Sequence, residues 1–235
     1  PRTPHPRFEG KSGMGPRGDV IVEADWCIGE FYKTLESEGL LENTLIIFSS
    51  DNGPVLNDGY YDDAVEKLGD HTPTGGLRGG KYSLFEAGTR VPFIAYWKGK
   101  INSNISDEII SQVDLFNSIS SIVGSSLKSK DGIDLSNLII DNKGKGRDEL
   151  ILEASTRTAY RNGDWVMIPP YHGKEIAKNV NIELGNSKEF KLYNLKKDPS
   201  QKHDLSKSNP KKLKEMISNF IIIRGKNFSN IKDLV

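Results

Sequence analysis

Apolar residues recur along this 235-residue chain in two rhythms, and the change between them divides it. Over residues 19–39 the rhythm is helical. Val20, Ala24, Cys27, Ile28, Phe31 and Leu35 share one face, with Asp19 as N-cap or first-turn acid and Gly39 as the stop. A short connection at 40–44 leads into T-L-I-I-F-S-S, an apolar, β-branched run that predicts a buried strand over 44–50. Helix, short loop and buried strand make an α/β unit. Residues 91–97 repeat the strand pattern, and Gly99 ends it. Between the strands lies 57–74, rich in Asp, Gly and Tyr. It is too long and irregular for a spacer and reads as a functional loop. A second helix is predicted over 107–123. Its apolar stripe is carried by Ile109, Ile110, Val113, Phe116, Asn117 and residues 119–122, and Gly124 closes it.

Residues 125–147 turn to Ser, Lys, Asp and Gly, a linker with one small apolar turn at 135–140. Beyond it come the short runs 150–154, 158–161, 165–168 and 190–195, split by turn residues. Asn162-Gly163 is a strong hairpin signal. After Pro210 the pattern is helical over 211–223. The expected fold class is therefore α/β. A body at 1–145 carries a sheet with flanking helices, and 146–235 forms a small antiparallel sheet with one helix.

Composition narrows the chemistry. Thirty-two basic side chains balance thirty-two acidic ones, which leaves no electrostatic footprint for nucleic acid. A lone cysteine, Cys27, excludes an internal disulfide and a multi-cysteine zinc site. On the apolar stripe it reads as a small hydrophobe rather than a nucleophile. No apolar run approaches the roughly 20 residues that cross a bilayer. The first eighteen residues are rich in Pro and Gly. Arg2, Arg7, Lys11 and Arg17 there either line an anion site or sit on a solvated loop. The chain opens on Pro1 without an initiator Met, so no targeting inference is drawn from its start.

The candidate chemistry sits between the two strands of the body. Asp51-Asn52-Gly53-Pro54 breaks the first strand and sets a carboxylate beside an amide oxygen. In open α/β sheets ligands collect at the carboxyl ends of strands. Lys81 follows Gly79-Gly80 on the way to the second strand. An acidic corner for a cation and a lysine on a glycine turn suggest a site for a metal-bound oxyanion.

Four segments, taken in order, carry a resemblance over nearly the whole chain. They are R-G-D-V-I-V-E-A-D-W-C-I-G-E, N-T-L-I-I-F-S-S-D-N-G-P, G-D-H-T-P-T-G-G-L-R-G-G-K-Y-S-L-F-E-A-G-T-R-V-P-F-I and L-Y-N-L-K-K-D-P. Together they resemble the type I, formylglycine-dependent sulfatases of the alkaline phosphatase superfamily. The resemblance implies that the body is part of an alkaline-phosphatase-like sheet. It implies that Asp51 and Asn52 are ligands of a single calcium ion, as oxygen donors suit a hard cation. It implies that Lys81 holds the sulfate and offsets charge as the ester breaks. The implied function is a sulfuric ester hydrolase, with a sulfated sugar or aryl sulfate as substrate and a periplasmic or secreted location.

The departures from the family pattern matter as much. No C-x-P-x-R or S-x-P-x-R motif occurs, so the formylglycine is expected on a residue outside this chain. The family's early Asp pair, and the early lysine and arginine around the sulfate, are also missing. The chain therefore resembles the C-terminal part of a sulfatase, expected to be inactive alone and to leave part of its sheet unpaired. His5 is a candidate for substrate binding, although Pro1-Arg2 better fits the P-R that follows the family's catalytic histidine. His71 is a second candidate, for a contact to the sugar or leaving group. Arg78 either approaches the sulfate or partners Glu86. Two other readings stay open: a phosphoryl-transfer member of the superfamily, and a non-catalytic binding homologue.

Overall fold

The computed structural model describes residues 2–224, so Pro1 lies outside the described residues. Helix α1 spans Gly15–Ser37 and is followed by strand β1, Ile46–Ser49. The short helix α2, Glu86–Thr89, precedes strand β2, Phe93–Tyr96. The two strands pair antiparallel, with Ser49 opposite Phe93. Everything from residue 50 to 92 thus hangs from one end of this pair. The candidate site belongs to that excursion.

Helix α1 begins four residues ahead of Asp19, which is neither its N-cap nor in its first turn. Asp19 is buried and accepts the N–H groups of Gly10 and Ser12 and the Ser12 hydroxyl, at 2.7 to 2.9 Å. Those bonds from Ser12, with Gly10 helping, hold its carboxyl below the ordinary range against the cost of burial. Asp19 therefore anchors the preceding G-K-S-G turn. The apolar stripe of α1 is not the expected core face. Phe31 is 72% exposed and Cys27 only half-buried, while the buried positions are Gly18 and Asp19. Strands β1 and β2 are shorter than expected and are not sealed either, with Phe48 and Ile94 exposed. Each has only the other as a partner among the described residues.

The second helix departs further from expectation. Helix α3 spans only Asp114–Ile122, and the buried residues are Asp114, Asn117, Ser118 and Ser120. Val113, Phe116, Ile119 and Val123 face outward. The physical reason is a polar scaffold. The Asp114 carboxylate accepts the N–H groups of Ser111 and Ile133, both at 2.9 Å, and a two-pronged ion pair from Arg147. The Ser118 hydroxyl accepts the Leu135 N–H at 2.9 Å, and Asn117 exchanges bonds with Ser129 and donates to Gly132 O. These bonds pull the polar face of α3 onto residues 129–135. That segment leads into helix α4, Ser136–Asp141, the expected apolar turn.

The C-terminal part follows the sequence pattern closely. Strands β3 (Glu149–Ala154), β4 (Arg157–Asn162), β5 (Trp165–Ile168) and β8 (Lys191–Asn194) form a four-stranded antiparallel sheet in that order. Before β8, β6 (Ile176–Ala177) and β7 (Ile182–Glu183) make a small hairpin absent from the expectation. The period-2 alternation loads both faces. Ala159, Val166, Ile168 and Tyr193 pack with Leu84 and Phe85, so the segment after Lys81 lies in this sheet's core. Tyr160, Met167 and Leu192 pack on the other face against Met216 and Phe220 of α5, Pro210–Arg224. The turn at Asn162-Gly163 is displaced by one residue. Asn162 pairs with Trp165, which leaves Gly163-Asp164 as the two-residue loop.

Replacing Asp114 tests the polar scaffold. Burial raises its carboxyl, but Arg147 and the Ile133 and Ser111 N–H groups outweigh that and hold it below its ordinary 3.8. The stability it contributes is therefore present above that value and lost as pH falls through the depressed one. Asp114→Ala should cost about 3–5 kcal/mol at neutral pH, as expected when one partner of a buried pair is removed. Urea unfolding between pH 2 and 7 should show the gap to wild type closing only at the acid end.

Candidate active site

The turn after β1 is held from several sides. Gln112 Nε2 donates to Ser50 O at 2.6 Å, and the Ser50 hydroxyl donates to Asn52 O at 3.1 Å. Asp51 Oδ1 accepts the Asn52 N–H at 2.9 Å, and Asn52 Nδ2 donates to Gly53 O at 3.1 Å. Asp51 is exposed and Asn52 half-buried. Asp51 Oδ2 and Asn52 Oδ1 take no hydrogen bond among the described residues. Two oxygen donors on adjacent residues thus remain free at the carboxyl end of the strand.

Backbone contact brings the lysine segment to this turn. Gly53 N–H donates to Gly88 O at 2.9 Å, and Lys81 N–H donates to Pro54 O at 3.0 Å. Neither approach leaves room for a side chain. A β-carbon on Gly53 would stand 1.6 Å from Ala87 O, and one on Gly80 would stand 2.7 Å from Pro54 O. Lys81 is half-buried and has no carboxylate partner among the described residues. Its ammonium lies 5.4 Å from the centroid of the Tyr82 ring. The structure therefore ties Asp51, Asn52 and Lys81 into one interlocked pair of turns.

The other candidates fall elsewhere. His5 is exposed. Its Nδ1 accepts the Arg7 N–H at 3.3 Å, and its own N–H donates to Glu23 at 2.9 Å. His71 is exposed on the 57–74 loop, where its N–H donates to Leu68 O, and its ring has no partner among the described residues. Arg78 partners Glu183 and Gln201 O rather than Glu86, and lies 4.0 Å from the Phe85 ring centroid. Glu86 is buried between Arg90 and Arg161, each at 3.7 Å. Burial pushes its carboxyl up, with Arg161 and Arg90 opposing. Of the early basic residues, Arg2 is occupied by Asp58, Asp62 and the carbonyls of Val55 and Leu56. Arg7 is stacked 3.5 Å over Trp26. Gln112 has no signal in the sequence, because its role depends on where the 107–113 segment runs.

A family model for sulfatases matches residues 4–125. The chain belongs to the sulfatase family. It is 43% identical over 220 residues to an N-acetylgalactosamine-6-O-sulfatase of Bacteroides thetaiotaomicron, covering 92% of this chain and 43% of that protein. It is 29% identical to arylsulfatase A of Homo sapiens, covering 86% of this chain and 42% of that one. A solved sulfatase from a Bacteroides thetaiotaomicron locus for metabolism of multiple glycosaminoglycans superposes with a TM-score of 0.90 at 42% identity. That match covers 94% of this chain and 47% of the other. The PsFucS1 sulfatase from Pseudoalteromonas superposes at a TM-score of 0.70 and 27% identity, covering 92% and 44%. The chain thus spans less than half the length of the relatives it matches. The α/β, alkaline-phosphatase-like expectation holds for this sulfatase chain.

The donor set suits a hard cation but is incomplete. No group of three or more His, Cys, Asp or Glu that could hold a metal occurs among the described residues. A calcium ion takes six to eight oxygen ligands. Asp51 and Asn52 fit as part of such a shell. Gly53→Ala tests the interlock. The added methyl meets backbone rather than a movable side chain, so the variant should lose about 3 kcal/mol or more in thermal or denaturant unfolding. It should also lose protection from hydrogen exchange at residues 53 and 81.

Proposed function

We propose that this chain supplies the Asp51–Asn52 turn and Lys81 to a sulfuric ester hydrolase that removes sulfate from a sulfated carbohydrate. The observation that carries the reading is the Lys81 N–H to Pro54 O bond, 3.0 Å long, across a contact that admits no β-carbon. It ties the backbone of a lysine that has no carboxylate partner among the described residues to the turn that carries two unused oxygen donors. The name of the Bacteroides thetaiotaomicron relative supports a 6-sulfated N-acetylgalactosamine as the substrate unit. Residues 1–145 would then be part of the catalytic domain, and 146–235 its C-terminal subdomain.

Asp51 Oδ2 and Asn52 Oδ1 would contribute two ligands to one calcium ion. Bound there, the metal supplies Lewis-acid polarisation of a sulfate oxygen. The Lys81 ammonium binds the sulfate and offsets negative charge as the leaving oxygen departs. The formylglycine nucleophile and the remaining carboxylate ligands belong to residues outside this chain. His5 and His71 are proposed as contacts on the leaving-group side, and the loops 57–74 and 171–188 as the walls that select the sugar. No helix among the described residues is long and apolar enough to cross a membrane. A polymeric substrate favours a periplasmic or secreted location.

The test uses the intact protein that carries this chain. Lys81→Ala should lower kcat/KM on a 6-sulfated N-acetylgalactosamine or an aryl sulfate by about 10²–10³. Asp51→Ala should weaken calcium binding about tenfold or more in a titration. Unimpaired turnover by Lys81→Ala would overturn the reading. Turnover of a phosphodiester with two bound zinc or manganese ions would replace it with phosphoryl transfer. Turnover of an aryl sulfate by this 235-residue chain alone would refute the need for residues outside it.

A further inference from the structure

Directly after Lys81 the backbone takes an unusual form. Tyr82 has φ +74°, the left-handed region that β-carbon-bearing residues rarely enter. Such outliers persist only where the surroundings hold them, and they gather at functional sites. The holding group is identifiable. Arg157 Nη2 donates to Tyr82 O at 2.8 Å, while Nη1 donates to Leu184 O at 3.1 Å and Asn186 Oδ1 at 2.6 Å. One guanidinium therefore spans the lysine turn and the segment that follows β7. Two further bonds run the same way. The Ser83 hydroxyl donates to Glu183 O at 2.6 Å, and Leu84 N–H donates to Leu184 O at 3.1 Å.

Arg157 itself is delivered by a tight turn. It is the first residue of β4, directly after Ser155 and Thr156, which have φ values of +52° and +48°. Both residues of this two-residue hairpin are thus left-handed, the arrangement whose twist matches the strands it joins. Neither is Gly, Asn or Asp, the residues that usually fill such a turn. Among the described residues the hydrogen-bond partners of Arg157 are all neutral oxygens, and it forms no ion pair. Its charge is left without a counter-ion at the backbone that follows the lysine.

We propose that Arg157 is a positioning residue for Lys81: it holds the left-handed Tyr82 and so fixes the turn from which the ammonium reaches the sulfate. The proposal rests on the reading of Lys81 as the sulfate-binding lysine. It adds that the proper aim of this group is set from the C-terminal sheet.

The experiment combines Arg157→Ala, Arg157→Lys and Tyr82→Gly in the intact protein. Glycine adopts φ +74° without being held, so it should make the turn less dependent on the arginine. Arg157→Ala should raise hydrogen exchange across residues 80–85 about tenfold and leave residues 165–168 unchanged. On a sulfate ester it should lower kcat about tenfold or more while KM moves less than about threefold. Arg157→Lys should recover part of the loss. In the Tyr82→Gly background, Arg157→Ala should cost less than about threefold. Unchanged exchange at 80–85, or an equal kcat loss in both backgrounds, would overturn the proposal. If Lys81→Ala lowers turnover as expected while Arg157→Ala leaves kcat unchanged, positioning by Arg157 is refuted and the sulfatase reading stands. If the wild-type protein turns over no sulfate ester, the functional reading fails, and the exchange measurement alone decides whether Arg157 holds the turn.

Discussion

Two backbone hydrogen bonds, Gly53 N–H to Gly88 O and Lys81 N–H to Pro54 O, are what the rest of the site depends on. They join the strand-end turn to a segment 27 to 35 residues away in sequence, and they do so at main-chain distance. Side-chain chemistry alone would not achieve this. An exposed carboxylate and an unpaired ammonium on separate loops would otherwise be free to drift apart. Here the missing β-carbons of Gly53 and Gly80 let two loops meet at main-chain distance, which ties the turn of Asp51 and Asn52 to the backbone of Lys81.

The second constraint comes from beyond the body. Leu84 and Phe85 are buried among Val166, Ile168 and Tyr193, with Phe85 and Tyr193 edge to face at 5.9 Å. Arg78 adds the Glu183 ion pair and a bond to Gln201 O. The lysine segment is thus gripped on one flank by the strand-end turn and on the other by the C-terminal sheet.

Much of this was legible in the sequence, for reasons that differ along the chain. The C-terminal strands were visible because period-2 alternation is a strong signal when both faces are covered, as Val166, Met167 and Ile168 show by alternating between two cores. The Asp51–Asn52 turn and Lys81 were visible because strand ends and glycine turns are local. The burial of α1 and α3 was not. Their apolar stripes, Phe31 on one and Phe116 and Ile119 on the other, predict a core that no described residue builds over them. Asp114 in particular carries no signal within the predicted 107–123 helix, and only Arg147, far along the chain, reveals it as the centre of a polar scaffold. The same holds for Arg157. A residue at a hairpin tip carries no local hint that its guanidinium meets Tyr82 O.

The burial of Leu84 and Phe85 in the C-terminal sheet has a consequence for the order in which the protein is made. The lysine turn leaves the ribosome well before β8, and until that strand arrives its two large apolar side chains have nowhere to go. On the proposed reading, packing of the lysine segment is therefore a late event in biogenesis, gated by completion of a sheet that contributes none of the proposed metal ligands or the lysine. Inherited or engineered changes in β5 or β8 would then surface as lost turnover, with the proposed catalytic and metal-binding side chains all intact.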